Sequence, residues 1–398
     1  MPPVALCSSR NHDRLILRWY DYTGIAVYRR EAVKWKGNAE AVLLHERVSR
    51  HQVFWQKREQ GYPLVGFRLR DFFFSRTFDA AMPLLSRGQR ITPELISTDE
   101  YMADYERMYQ DNLRIGQEAF WTAEPFTGIP WIEGMLGCDI YSSEESFWAK
   151  SFASDPQALE PLKLESDNPW LMKFNEFTSQ LTELSDGRFP LGQPVLRGPS
   201  DTLGAMLGQD NLVYCLYDYP EVMKKLALTV TNAFLHVISS FLATVPEFLG
   251  GYCMGFYPIW TPEKCVWFQE DLSALCSPSL YREFFLLCDE KICRAYPFSL
   301  VHLHPASLFI LDDLLRIDDL KAIEINKDVG GPSVREMMSV FRRIMEKKSL
   351  VIWGDLDEED IKTIRDNLPC RGIFLNIVAP SVSRAKKLNA YVRKVYGY

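Results

Sequence analysis

The final quarter of the chain alternates short apolar runs with amphipathic segments, and this rhythm strongly constrains the fold. Strands are predicted at 299–303, 321–325, 350–353 and 372–377, each followed by a helix, at 306–316, 333–347, 358–367 and 382–395. In the helix at 333–347, Val334, Met337, Phe341 and Ile344 fall on one stripe, the pattern of a helix packed on a sheet. Four strand–helix units in succession indicate a parallel sheet with helical crossovers.

The same alternation, less regular, extends upstream. Helices are predicted at 99–115, 168–184, 200–208, 220–243 and 277–295, and strands at 64–67, 119–123, 189–196 and 249–257. The most economical assembly is an α/β fold of the TIM-barrel type, a single (β/α)8 barrel with an N-terminal helical extension. We expect the extension to occupy residues 1–60 and the barrel residues 61–398.

Composition narrows the class of protein. With 47% hydrophobic residues in 398, the chain can bury a large core, and its net charge of −7 argues against a nucleic-acid partner. The most apolar stretch, 226–245, is interrupted by Thr229, Asn232 and His236, so no membrane span is predicted, and no secretory signal is visible at the N-terminus. Nine cysteines without a C-x-x-C pair favour reduced thiols and a cytoplasmic location.

In a (β/α)8 barrel the catalytic residues lie at the carboxyl ends of the strands. Two of only six histidines, His302 and His304, leave one predicted strand, and Glu324 lies in the next. Alternate side chains of a strand share a face, so the two imidazoles point the same way. A glutamate inside an apolar strand is costly to bury without a partner, which favours a functional role for Glu324.

Several motifs resemble the uroporphyrinogen decarboxylase superfamily, whose members are (β/α)8 barrels and include cobalamin-dependent methyltransferases. They are the segment 269–284, the His302-x-His304 pair, Gly354-Asp355, the segment 197–203 and the closing segment 395–398. The resemblance covers roughly residues 120–398. The decarboxylase's arginine-rich signature and its late glycine-flanked histidine are absent, so the resemblance favours the methyltransferase branch.

In that branch a His-x-Cys pair, a later acidic residue and a late cysteine hold zinc. Here His302 matches the histidine, His304 stands in the place of the first cysteine, and Glu324 follows 22 positions after His302. The late cysteine is missing. The resemblance therefore implies a metal site of His302, His304 and Glu324, suited to zinc and compatible with iron, with a corrinoid on a partner protein and a small-molecule substrate.

Further roles are assigned to residues near the same strand ends. Asp328 or Asp355 would orient an imidazole or act as a general base, and Arg197 would clamp an anionic substrate or pair with Asp201 as scaffold. The remaining substrate-binding candidates are Tyr257, Trp260 and Asp271. Three alternatives stay open: structural histidines without metal, a cofactor-free decarboxylase or lyase acting on a small carboxylated substrate, and a ligand-binding barrel without catalysis. A homodimer is also compatible with the sequence.

Overall fold

A computed structural model describes residues 9–11, 14–16, 38–69, 74–160 and 162–398. The chain divides into two compact units, Met1–Val48 and Ser49–Tyr398. Of the helical extension predicted at 1–60, Asn38–Trp55 forms an α-helix, and most of the residues before Asn38 lie outside the described residues.

The strands of the described residues form four sheets. A pair of antiparallel strands belongs to the first unit, and the second unit contains one six-stranded sheet, one three-stranded sheet and one two-stranded hairpin. In chain order the strands are β1 (Ser9–Asn11), β2 (Arg14–Ile16), β3 (Leu64–Leu69), β4 (Arg90–Ile91), β5 (Asp139–Ser142), β6 (Phe147–Lys150), β7 (Tyr252–Cys253), β8 (Trp260–Thr261), β9 (Cys265–Gln269), β10 (Phe298–Leu303), β11 (Ala322–Asn326), β12 (Ser349–Gly354) and β13 (Ile373–Ala379).

The helices agree with most of the predicted positions. They are α1 (Asn38–Trp55), α2 (Thr98–Leu113), α3 (Trp131–Met135), α4 (Pro169–Ser185), α5 (Pro199–Leu207), α6 (Gln209–Asp218), α7 (Pro220–Thr244), α8 (Pro278–Phe284), α9 (Leu286–Ala295), α10 (Leu311–Leu314), α11 (Met338–Lys347), α12 (Glu358–Asn367) and α13 (Val382–Tyr396). The predicted helix at 277–295 is two helices separated at Phe285, and the one predicted at 333–347 begins only at Met338.

The central element is the six-stranded parallel sheet, in the order β3-β13-β12-β11-β10-β9. It confirms the predicted parallel α/β arrangement. The strand predicted at 249–257 is wrong, because the regular strand in this segment is limited to Tyr252–Cys253, which pairs with β8 in an antiparallel hairpin. Positive φ angles at Leu249 (52°), Gly250 (77°) and Gly255 (96°) prevent a continuous strand.

Backbone hydrogen bonds continue from both edges of the sheet into segments that form no regular strand. Beside β3, the N–H of Ala119 donates to the carbonyl of Val65, and the N–H of Gly192 donates to that of Ala123. Beside β9, the N–H of Gly198 donates to the carbonyl of Gln269. The segments 119–123 and 190–198 therefore lie next to the two edge strands.

The two faces of the sheet pack against different partners. One face, with Val301, Ile323 and Leu375, belongs to the large core that also contains the helices. The other face joins a smaller cluster, in which the segment 254–259 packs on the strands; its fully buried members include Met254, Phe256, Tyr257, Ile259, Trp267, Leu300, Ala322 and Phe374. We call this second surface the aromatic face. Because side chains alternate along a strand, the two faces separate odd from even positions of β10 and β11.

Among the described residues one helix, α7, is long and apolar enough to cross a membrane by length and composition. Of its most apolar window, 56% is buried inside the protein, as in the core helix of a soluble protein.

Candidate metal centre

Three neighbouring strands direct polar side chains to the carboxyl end of the aromatic face. β10 carries His302 and leads into His304, β11 carries Glu324, and β9 leads into Asp271. In the sheet register His302 lies opposite Gln269 of β9 and Glu324 of β11. The short apolar strands below these residues fix their height, so the polar groups meet at one end of the sheet.

His302 is held through its Nδ1 atom. That nitrogen contacts Oε2 of Glu324 and lies 2.9 Å from the hydroxyl of Tyr257. The Tyr257 hydroxyl also donates to Glu324 Oε2 over 2.9 Å. Glu324 and Tyr257 are buried, and His302 is only 7% exposed. With Nδ1 occupied, the free nitrogen of the ring is Nε2.

His304 is held in the same way by a different carboxylate. Its Nδ1 lies 2.6 Å from Oδ1 of Asp328 and 3.2 Å from the amide nitrogen of Asn326. The ring of His304 stands at 88° to that of His302, with the centroids 4.7 Å apart. The Nε2 atom of His304 is therefore also left free.

Both Nε2 atoms face Asp271. The distance from His302 Nε2 to Asp271 Oδ1 is 3.7 Å, and from His304 Nε2 to Asp271 Oδ2 it is 4.0 Å. Asp271 is itself oriented by the side-chain amide of Gln269, which donates to Oδ2 over 2.7 Å. One ligand atom from each of Asp271, His302 and His304 lies within 4.8 Å of the others, so the three side chains could hold a metal ion.

This group differs by one residue from the set of metal ligands predicted from the sequence. Glu324, assigned as a ligand from the sequence, contacts the far nitrogen of His302 and the Tyr257 hydroxyl instead of joining the group. Its place is taken by Asp271, which was predicted to bind substrate. The reason is register, because Glu324 lies directly opposite His302 and so meets the side of the ring that faces away from Asp271.

Negative charge surrounds His302. Burial opposes its charged form, but the charge and hydrogen bond of Glu324, with the charges of Asp271 and Asp201, outweigh burial and raise the pKa of His302 to about 9. In the metal-free protein this imidazole is therefore protonated at neutral pH.

Asp201 supports the backbone of Asp271, and Arg197 pairs with a different carboxylate. Asp201 accepts the backbone N–H groups of Asp271 and Leu272, over 3.1 and 2.8 Å. Burial, followed by the charge of Asp271, raises the pKa of Asp201 well above its ordinary value. Arg197 pairs with the buried carboxylate of Glu133 over 3.0 Å. In the described residues the ion pair of Arg197 is made with Glu133, whereas Asp201, one of the two alternatives for Arg197, acts on the guanidinium through its charge.

Two predicted site residues are not brought to the imidazoles. Asp355 is exposed, and its Oδ1 lies 3.4 Å from Lys327 Nζ; in the described part of the chain no ion pair joins it to His302 or His304. Trp260 is buried and its indole N–H donates to the carbonyl of Phe248 over 2.9 Å. The structure therefore places both side chains in contact with residues other than the two imidazoles, and their catalytic and substrate-binding roles stay predictions.

Three further residues make contacts at the site that were not predicted from the sequence. Tyr257, predicted to bind substrate, is fully enclosed and bonded to His302 and Glu324. Gln269 was expected near the carboxyl ends of the strands but was given no role, and Glu133 was not predicted at all. The apolar run 265–268 was the available signal for Gln269, since a strand there places residues 269–271 at its carboxyl end. Nothing local marks Glu133, which reaches Arg197 from a separate helix.

Comparison of the chain with models of known protein families gives no match, and no curated protein matches it. The likeness to the uroporphyrinogen decarboxylase superfamily therefore rests on the motifs quoted from the sequence.

Proposed function

We propose that this protein is a metal-dependent enzyme similar to the uroporphyrinogen decarboxylase superfamily, on its methyltransferase side. It would transfer a methyl group between a small molecule and a corrinoid carried by a partner protein. One observation carries the proposal. Each imidazole has its Nδ1 held by a carboxylate, Glu324 or Asp328, while both Nε2 atoms face the carboxylate of Asp271. Carboxylate–histidine pairs of this kind orient the ligands of many protein metal sites.

The donor set fits zinc. Two imidazoles and one carboxylate are a common set for catalytic zinc with an open fourth position, and they also suit iron. Ligand atoms bound at about 2.1 Å in a tetrahedron lie about 3.4 Å apart. The Nε2–Oδ distances of 3.7 and 4.0 Å are therefore a few tenths of an ångström wider than a bound ion requires. When bound, zinc supplies a Lewis acid that favours a thiolate at neutral pH or polarises an oxygen.

The side chains around the ligands have separate tasks in this proposal. Glu324 and Tyr257 fix the ring of His302, and Asp328 fixes that of His304. Gln269 and the N–H groups that bind Asp201 hold Asp271 at the end of β9. Asp271 and His304, with side chains 32% and 34% exposed, are open to an incoming substrate, whereas His302 at 9% is not.

A (β/α)8 barrel is part of the proposal. The segments 119–123 and 190–198 hydrogen-bond to the two edge strands, β3 and β9, and to each other through Ala123 and Gly192. Together with these two segments, the six strands make eight neighbouring segments in the order expected for a closed barrel, whose interior would be the aromatic face. The eight cysteines of the described residues are all free thiols, which supports a cytoplasmic location. A homodimer remains compatible with the proposal.

A second candidate is the cofactor-free lyase. It is favoured by the raised pKa of His302, which makes the imidazole a proton donor at neutral pH. Metal binding and acid catalysis use the same nitrogen, so a bound metal ion would exclude this role.

Metal analysis of the purified protein separates the two candidates. We expect about one zinc per chain, lost in His302→Ala, His304→Ala and Asp271→Ala and retained in Asp355→Ala, a matched control at an exposed carboxylate. Methyl transfer is then tested by incubating the protein with methylcobalamin and a small thiol. Demethylation is monitored as the loss of the visible absorption of methylcobalamin. Wild-type protein that is purified without metal and does not bind added zinc would exclude the metal-dependent function and leave the lyase.

A further inference from the structure

Asn376 of β13 is a buried amide without a hydrogen-bond partner. It is 0% exposed, and among the described residues neither its Oδ1 nor its Nδ2 atom has a partner. An asparagine side chain can donate two hydrogen bonds and accept two, and buried amides are nearly always bonded. A ligand that hydrogen-bonds to the Asn376 amide would supply the missing partner.

The position of Asn376 connects it to the metal centre. Phe374, two residues earlier, belongs to the aromatic face, so Asn376 lies on that face as well. In the sheet register Asn376 lies beside Trp353 of β12, and Trp353 lies beside Asn326 of β11, whose amide contacts His304. Adjacent strands are about 4.8 Å apart, so about 10 Å of sheet separates Asn376 from Asn326.

The neighbours of Asn376 limit what can lie against it. On one side Gly66 of β3 has no side chain to offer a hydrogen bond. On the other side the indole of Trp353 is partly exposed, and its ring centroid lies 5.6 Å from that of Phe256. A flat aromatic surface beside a neutral amide suits a planar ligand.

We propose that Asn376 and Trp353 form a recognition site for the substrate on the aromatic face and that the substrate carries a planar lactam or amide edge, with an N–H next to a carbonyl. Such an edge donates to Oδ1 and accepts from Nδ2 at the same time. A carboxylate, which only accepts, would leave Oδ1 without a partner. This inference rests on the proposed function only in placing the reacting centre at Asp271, His302 and His304.

The test uses 2-pyridone, a planar lactam, and N-methyl-2-pyridone, which lacks the N–H. Both are titrated into the full-length protein with binding followed by NMR or calorimetry. We expect 2-pyridone to bind at least tenfold more tightly, because a site built around a hydrogen bond discriminates against an analogue that lacks it. Asn376→Leu should abolish this preference without lowering the melting temperature, since it removes a polar group that has no protein partner.

Asn112→Leu is the matched control. This buried amide donates to the carbonyl of Met108 over 2.8 Å and accepts from Gln117 over 2.9 Å. Its replacement should lower the melting temperature and keep the preference for 2-pyridone. The proposal is overturned if wild-type protein binds the two pyridones equally or neither of them, or if Asn376→Leu loses as much stability as Asn112→Leu.

Zinc content, measured in the same samples, separates this proposal from the proposed function. Asn376→Leu should keep the zinc of the wild type, because in the described part of the chain no hydrogen bond joins Asn376 to Asp271, His302 or His304. Wild-type protein that selects 2-pyridone but binds no zinc would overturn the metal-dependent function and support the recognition site.

Discussion

The hydroxyl of Tyr257 lies 2.9 Å from Nδ1 of His302, although 45 positions separate the two residues in the chain. Tyr257 comes from the loop between β7 and β8, and His302 from β10 of the central sheet. The same hydroxyl donates to Glu324, so a phenol and a carboxylate fix one side of the imidazole. The other side, Nε2, is thereby directed to Asp271.

Removing these supports should weaken metal binding. We expect Glu324→Gln to reduce zinc affinity by about 10–100-fold, the usual effect of losing a carboxylate behind a ligating histidine, and Tyr257→Phe by up to about tenfold. Affinity is measured by competition with a chromophoric chelator. Tyr281→Phe is the control, because Tyr281 donates to the buried carboxylate of Asp289 outside the site. Equal affinity in wild type and Glu324→Gln would contradict this role.

The stability of the metal-free protein should depend on pH through His302. Its pKa is raised from 6.5 to about 9 in the folded state, so the stabilisation is fully present below pH 6.5, declines as the pH rises to 9 and is lost above. The loss amounts to about 3 kcal/mol, at 1.36 kcal/mol per unit. Urea unfolding of wild type and His302→Gln measures it.

Subtracting the unfolding free energy of His302→Gln from that of the wild type cancels the contribution of other titrating groups. Asp289, whose pKa burial raises to about 7, is one of them. A difference in unfolding free energy that stays constant from pH 6 to pH 9.5 would show that His302 is not charged in the folded protein.

Zinc binding should release a proton. Because His302 is protonated at neutral pH and a metal ion binds only the neutral imidazole, we expect about one proton per zinc at pH 7. Calorimetry in buffers of different ionisation enthalpy counts the protons, and the apparent affinity should rise about tenfold per pH unit up to pH 9. Proton release that is unchanged in His302→Ala would place the metal elsewhere.

Arg197 should contribute to stability more than to substrate binding. Arg197→Met leaves the carboxylate of Glu133 buried without its partner, and we expect a loss of about 2–3 kcal/mol, below the range for fully buried pairs because Arg197 is partly exposed. Adding Glu133→Gln should recover much of this loss in urea unfolding. No recovery in the double variant would argue that Arg197 has another task, such as the predicted substrate clamp.

Local sequence patterns predict structure reliably where the residues of a single helix or strand are enough to define that element. Ser277 and Asp357 lie at N-caps, and Asp357 with Asp360 forms a capping box, because a hydroxyl or carboxylate there satisfies amides of its own helix. The parallel strands β10 to β13 were predicted from runs of apolar residues. The apolar run at 249–257 led to a wrong strand prediction by the same rule. Its apolar residues lie in a loop and a hairpin that pack on the aromatic face.

The sequence alone determined that His302 and His304 share a face at the end of a parallel strand, because alternation along a strand depends only on the backbone. It also determined that a buried Glu324 needed a partner. Only the tertiary structure decided which carboxylate meets which nitrogen. That choice depends on strand register and on a loop that brings Tyr257 to His302, and contacts between distant segments leave no local pattern in the chain. For this reason Asp271, and not Glu324, completes the candidate metal centre.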